Sequence, residues 1–167
     1  ESLKMPFIVK WPGVVKPGSR SDRMIQNLDY AETFLAIAQA AIPADMQGRS
    51  LLPLMMGETP DNWRTSIYYH YYEYPSSHMI PRHNGIRTER YKLMHFYQFD
   101  EWEFYDLKND PDELNNLYRD SDYRKLIEQH KEQLDALEKQ YEDDSDRSIK
   151  PLEWQKEVRA TGHAFRR

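Results

Sequence analysis

The chain contains no cysteine, which excludes disulfides, a thiol nucleophile and cysteine-ligated metals and leaves the redox compartment open. Nor does it hold an apolar run near the ~20 residues that a membrane-spanning helix needs. Glycine is scarce, at 6 of 167 residues. No Gly-rich phosphate loop, HExxH, GxSxG or acid-rich metal loop occurs. A block of positive charge is missing too. The 23 basic residues lie scattered among 28 acidic ones, for a formal charge of -5, so nucleic acid finds little electrostatic footing. Hydrophobic residues amount to 39%, below the ~45–50% usual for globular chains. That deficit points to long solvated segments, or to a surface that packs against something else. The length suits one domain with a real core or two small lobes.

What is present begins abruptly. The opening "ESLKMPFIVKWPG" places a strand, residues 5–11, almost at the first residue, whereas chain ends ordinarily fray before the first packed element. We therefore expect the downstream part of a longer polypeptide. Residues 28–41, "LDYAETFLAIAQAA", have helical spacing. Asp29 and Glu32 fit a capping box, and Phe34, Leu35, Ile37, Ala38 and Ala41 form the stripe expected to be buried. "GRSLLPLMMG" reads as a helical turn started by Ser50 and stopped by Gly57. Residues 65–74 are rich in aromatic and β-branched side chains and read as a strand. "NGIRTERYKLMHFY" reads as a hairpin turning at Thr88–Arg90, and "WEFYDL" as a further strand. "NDPDELNNL" carries a second capping-box pattern, with Asp110 as cap and Glu113 closing it. Residues 121–142 hold Tyr123, Leu126, Ile127, His130, Leu134, Leu137 and Tyr141 at helical spacing with charges opposite. After "EDDSD" a polar tail follows. The expected class is α+β: a small antiparallel sheet of about four strands packed against a long C-terminal helix, plus an N-terminal strand-helix piece.

Residues 67–97 concentrate seven of the twelve tyrosines and four of the six histidines. Most of these tyrosines suit a pleated, half-buried face. Tyr72 and Tyr74, nearest the following loop, are the ones placed to stack on a sugar ring. His95 and His130 fall in phase with apolar neighbours and read as packed, His70 can face either side, and His163 lies idle in the tail. Asp143 and Asp144 read as solvated surface charge. His78 and His83 differ, because they flank a loop with no periodic reason for imidazole. Beside them Arg82 offers a guanidinium fork suited to sulfate, phosphate or carboxylate, and Asn84 offers an amide suited to sugar hydroxyls. The candidate substrate-binding residues are thus His83, Arg82, Asn84 and His78. No catalytic residue and no metal ligand is assigned.

Three stretches in order carry a family resemblance. "ESLKMPFIVKWPGVVKPGS" with "NLDYAETFLAIAQAAIPADMQGRSLLPLMMGE" resembles the segment after the active-site core of type I, formylglycine-dependent sulfatases. "GIRTERYKLMHFY" with "EFYDLKNDPDELNNL" resembles their C-terminal hairpin and closing motif. "YYHYYEYP…H…RHNGIRT" resembles the subset acting on sulfated sugars, including N-acetylglucosamine-6-sulfatase-like members. The resemblance covers roughly residues 1–140. It implies the alkaline phosphatase superfamily, with residues 1–60 ending the large α/β lobe, 61–145 forming the C-terminal subdomain and 146–167 a tail. It further implies a formylglycine nucleophile made within Cys/Ser-x-Pro-x-Arg, a calcium ion, a missing N-terminal lobe as partner, a sulfated sugar as substrate, and work outside the cytoplasm, periplasmic or secreted. No serine here begins a Ser-x-Pro-x-Arg stretch, so neither nucleophile nor calcium ligand transfers to this chain, and none is expected from it alone. A non-catalytic carbohydrate-binding module, and the C-terminal part of a phosphodiesterase or phosphonate hydrolase of the same superfamily, are the rival readings.

Overall fold

A computed structural model describes residues 3–74, 80–145 and 147. The chain divides into two units, Glu1–Arg64 and Thr65–Arg167.

In the first unit, helix α1 spans Asp29–Ile37 and the short helix α2 spans Leu52–Met55. The strand expected over residues 5–11 does not form, since the one sheet among the described residues uses no part of it. Without a ladder partner its side chains remain in the open, with Met5 and Ile8 80% and 92% exposed. The orientation of α1 is also the reverse of that expected. Asp29, Glu32 and Thr33 are buried, while Phe34 and Ile37 are exposed. The reason lies in the loop that follows, whose backbone donors need acceptors. Glu32 accepts from the Gly48 amide at 2.6 Å, Thr33 Oγ1 accepts from the Leu51 amide at 2.8 Å, and Asp29 accepts from the Arg49 amide at 2.9 Å. Asp29 also receives both terminal nitrogens of Arg64, at 2.5 and 2.6 Å. No side-chain cap forms at the start of α1: the carboxylates expected to cap the helix organise the next loop instead. Gly48 permits this, because a Cβ there would come within 2.3 Å of the Glu32 carboxylate.

The second unit is an antiparallel meander. Strands β1 (Ser66–Tyr71), β2 (His83–Thr88), β3 (Tyr91–Phe96) and β4 (Glu101–Asp106) lie side by side in chain order. Alternation puts Ile86, Leu93 and Phe104 on one face, where they meet Ile127 and Leu134 of helix α3 (Arg124–Gln140). A single turn of 3-10 helix at Ser121–Tyr123 leads into α3. Sheet and helix are as the periodicities indicate. The β2–β3 turn is closed by Thr88, whose hydroxyl accepts from the Tyr91 amide at 3.0 Å and donates to its carbonyl at 3.1 Å. Arg90 then grips Asp106 through two nitrogens at 2.9 and 2.7 Å, tying this turn to the end of β4. Gly85 lets the strands close up, since a Cβ would sit 2.5 Å from the Leu93 carbonyl oxygen.

The second capping box is not formed. Asp110 accepts from the Leu114 and Asn115 amides at 3.1 and 2.8 Å, but no helix follows. Glu113 adopts a φ of 56° and gives its carboxylate to Lys92 instead.

Candidate functional site

The ends of β1 and β2 meet at one corner of the sheet, with Tyr71 paired to His83 and His70 to Asn84. Alternation splits these residues between the faces. Tyr69, Tyr71 and His83 lie together on the face away from α3, and Tyr68, His70 and Asn84 lie toward it.

His83 is buried, with ring centroids of Phe96, Tyr71 and Tyr69 at 4.9, 5.4 and 5.6 Å. Its Nδ1–H donates to the Pro81 carbonyl at 2.8 Å, which fixes the tautomer and leaves Nε2 as the acceptor. Burial lowers its pKa, outweighing the Pro81 bond. Burial thus favours the neutral form of the His83 imidazole. Asn84, the next residue, is fully buried on the opposite face and donates its amide to the Glu138 carboxylate of α3. Arg82 anchors its backbone N–H on the Gln98 side chain at 3.1 Å. Its Nε is buried without a partner among the described residues, and its charge reaches Tyr97. His78 and His163 fall outside the described residues. So the chain brings Arg82 and His83 to one corner and assigns Asn84 to the helix side.

That corner holds a network the sequence reading missed. The His70 ring is clamped by both nitrogens: Nδ1–H donates to Asp143 at 2.5 Å, and Nε2 accepts from the Tyr97 hydroxyl at 3.0 Å. Tyr68 also donates to Asp143, and Arg147 pairs with Glu138 at 3.1 Å. Asp143 is thus not the solvated charge expected of it; its side chain is only 6% exposed. Burial pushes its carboxyl up, but hydrogen bonds from Ser145, Tyr68 and His70 outweigh that and hold it well below the usual carboxylate range. Outside the clamp, Tyr72 stacks on His70 with centroids 3.9 Å apart and is 53% exposed. Tyr74 is buried. His95 stacks on Trp102 at 3.8 Å, and His130 meets Phe104 edge-on at 5.3 Å while its Nδ1–H donates to the Leu126 carbonyl. Both are packed, as their spacing implies.

Residues 1–140 match the C-terminal family of N-sulphoglucosamine sulphohydrolase. The chain belongs to the sulfatases. Among curated proteins, the N-acetylglucosamine-6-O-sulfatase of Bacteroides thetaiotaomicron is 46% identical over 146 residues, covering 86% of this sulfatase chain and 26% of the relative. The Delta 4,5-hexuronate-2-O-sulfatase of the same species is 32% identical over 155 residues, covering 90% and 31%. A structure solved in complex with its substrate D-glucosamine-2-N,6-O-disulfate superposes with a TM-score of 0.81 at 44% identity, covering 85% of this chain and 30% of that one. The sulfatase chain thus spans only about a quarter to a third of the length of these relatives.

The histidines set a pH dependence for the sulfatase chain. Burial lowers the pKa of His70, His83, His95 and His130. At His70 this holds even against the pull of Asp143 and Glu138, with Arg147 acting in the same sense as burial. In each case the unfolded chain takes up a proton near pH 6.5 that the folded chain refuses. Stability is then full above that pH and falls as pH drops through it, by up to about 1.4 kcal/mol per pH unit for each histidine kept neutral. Thermal melts of the sulfatase at pH 7.5, 6.5 and 5.5 should show Tm falling stepwise. A flat profile means these imidazoles are charged or solvated.

Proposed function

We propose that the chain is the C-terminal part of a sulfatase hydrolysing sulfate esters of carbohydrates, with 6-O-sulfated aminosugars as the substrate class. The observation that carries this reading is the 46% identity to an N-acetylglucosamine-6-O-sulfatase. The disulfated glucosamine bound by a solved relative supports the same class. In this reading Glu1–Arg64 contains the end of the large lobe, the meander with α3 is the C-terminal subdomain, and the enzyme works outside the cytoplasm. No helix among the described residues is long and apolar enough to cross a membrane.

Hydrolysis releases sulfate and a sugar hydroxyl, and the formylglycine and calcium that drive it would come from the rest of the enzyme. No group of three or more His, Asp or Glu among the described residues is arranged for a metal. The nearest acidic depression lies along the end of α3, about 500 Å³ in volume, and includes Glu138 and Asp143. Both are already engaged, by Asn84 and Arg147 and by Tyr68 and His70. These residues do not fit a calcium site. The chain's own contribution is one wall of the substrate pocket. Arg82 offers a charged fork to an anionic substituent. His83 offers the lone pair of Nε2 to a sugar hydroxyl. Asn84 fixes the strand from behind through Glu138.

The test is made in the full-length enzyme. Arg82→Ala should lower kcat/KM on N-acetylglucosamine-6-sulfate by about 10- to 100-fold, the size of one charge-assisted contact. The Tm should stay nearly unchanged, because no described partner loses its bond to that side chain. Unaltered kinetics would remove Arg82 from the site. A wild-type enzyme that cleaves phosphate or phosphonate esters and ignores sulfated aminosugars would overturn the substrate class.

A further inference from the structure

The tyrosines of β1 and of the residues just after it divide into two populations. Tyr69 and Tyr71 cover His83, Tyr68 stacks on Tyr141 at the end of α3, and Tyr74 is buried. Tyr72 stands apart, at 53% exposed. It follows β1 directly, at the corner where Arg82 and His83 enter the sheet. One face of its ring lies on the His70 imidazole, with centroids 3.9 Å apart and planes 29° apart. The support beneath it is rigid. His70 has its side chain only 2% exposed, and neither ring nitrogen is free to let the ring turn. A polar triad of Asp143, His70 and Tyr97, with His70 and Asp143 shielded, thus backs an aromatic side chain that is itself half exposed.

We propose that Tyr72 is a carbohydrate-stacking platform of this sulfatase, a specificity-determining residue held in place by His70 and Asp143. An aromatic ring with one face braced and the other open suits the apolar C–H face of a pyranose. It gains contact area at little entropic cost, because the brace has already removed the ring's rotational freedom. Asp143 accepts from Tyr68 as well as from His70, so the clamp is anchored to β1 at two points. Tyr72 touches the sugar. His70 and Asp143 act only through it and are positioning residues. The phenol hydroxyl has no part in stacking, so the function resides in the ring.

This inference rests on the proposed carbohydrate substrate, and two measurements on the full-length enzyme separate the two. The first is turnover of glucosamine-6-sulfate and N-acetylglucosamine-6-sulfate by the wild type, which tests the substrate class. The second is the affinity of wild type and variants for unsulfated N-acetylglucosamine oligosaccharides, measured by calorimetry, which needs no turnover. Tyr72→Ala should weaken that affinity and raise KM on the sulfated sugars by about 5-fold, the scale of one aromatic stacking contact, with kcat unchanged. Tyr72→Phe and Tyr72→Trp should bind as the wild type does. His70→Ala should reproduce the Tyr72→Ala shift, and the double variant should be no worse than Tyr72→Ala alone, a non-additivity that a merely structural histidine would not produce. Should His70→Ala fail to fold, Asp143→Asn, which keeps the shape and removes the charge, serves in its place. Tyr72-dependent sugar binding supports the platform even if the sulfated monosaccharides are not turned over. Equal affinity and KM for wild type and Tyr72→Ala overturns it, whatever the substrate class proves to be.

Discussion

Asp29→Ala is expected to cost about 3–5 kcal/mol, the usual penalty for stripping one partner from a buried ion pair. The Asp29 side chain has no exposure and that of Arg64 has 6%. Removing the carboxylate strands the guanidinium away from water and also unseats the Gln26 and Arg49 amides, bonded at 2.7 and 2.9 Å. The double variant Asp29→Ala, Arg64→Met should recover part of the loss, because the stranded charge goes with it. Denaturant titration of wild type, single and double variants measures both effects. A single-variant loss below about 1 kcal/mol would mean that water already reaches this pair.

Phe104→Ala is expected to have a comparable effect on the second unit, about 3–5 kcal/mol. The ring has no exposure. It stacks on Tyr91 at 5.5 Å and meets His130 at 5.3 Å and Tyr123 at 6.1 Å, so it joins β3, α3 and the turn before α3. Its backbone cannot retreat to fill the void, being held by Asn116 Oδ1 at 3.0 Å on its amide and by the Leu117 amide at 2.8 Å on its carbonyl. At roughly 4–8 °C per kcal/mol for a unit of this size, the melting transition should fall by more than about 12 °C. Leu114→Ala is the matched control, since that side chain is 79% exposed and its loss should stay within about 0.5 kcal/mol. Equal melting of the two variants would mean that the sheet-helix core does not carry the unit's stability.

The second unit was largely legible from its residues, because its periodicities are strong and each element packs against the next. Leu93 and Phe104 alternate inward, and Ile127, His130 and Leu134 recur on one side of α3, as a two-layer core requires. In α1 the same logic pointed the wrong way. An apolar stripe is buried only where something covers it, and the loop 46–51 instead needed acceptors that Asp29, Glu32 and Thr33 supply. The second capping box failed through competition, as Lys92 offered Glu113 a better partner than a helix amide. At the candidate corner, the loop with Arg82 and His83 stood out by chemistry alone. Local spacing gave no sign that Asn84 would reach α3, nor that Asp143, in an acidic run resembling surface charge, would lock His70. A histidine on an aromatic strand with an acid just past a facing helix was the available signal, and it shows itself only once strand and helix are packed.

The meander joins each strand to its immediate successor, so nearly all of its pairing closes over short loops. Among the described side-chain bonds to the far end of α3, that of Asn84 to Glu138 bridges 54 positions, and those of Tyr68 and His70 to Asp143 bridge 75 and 73. Closing so long a stretch of chain costs more entropy than closing a hairpin, and the docking of α3 against the sheet brings the two ends together. One of the two longest chain closures among these described bonds thus lies directly beneath the exposed ring of Tyr72, which ties the setting of that surface to the docking of α3.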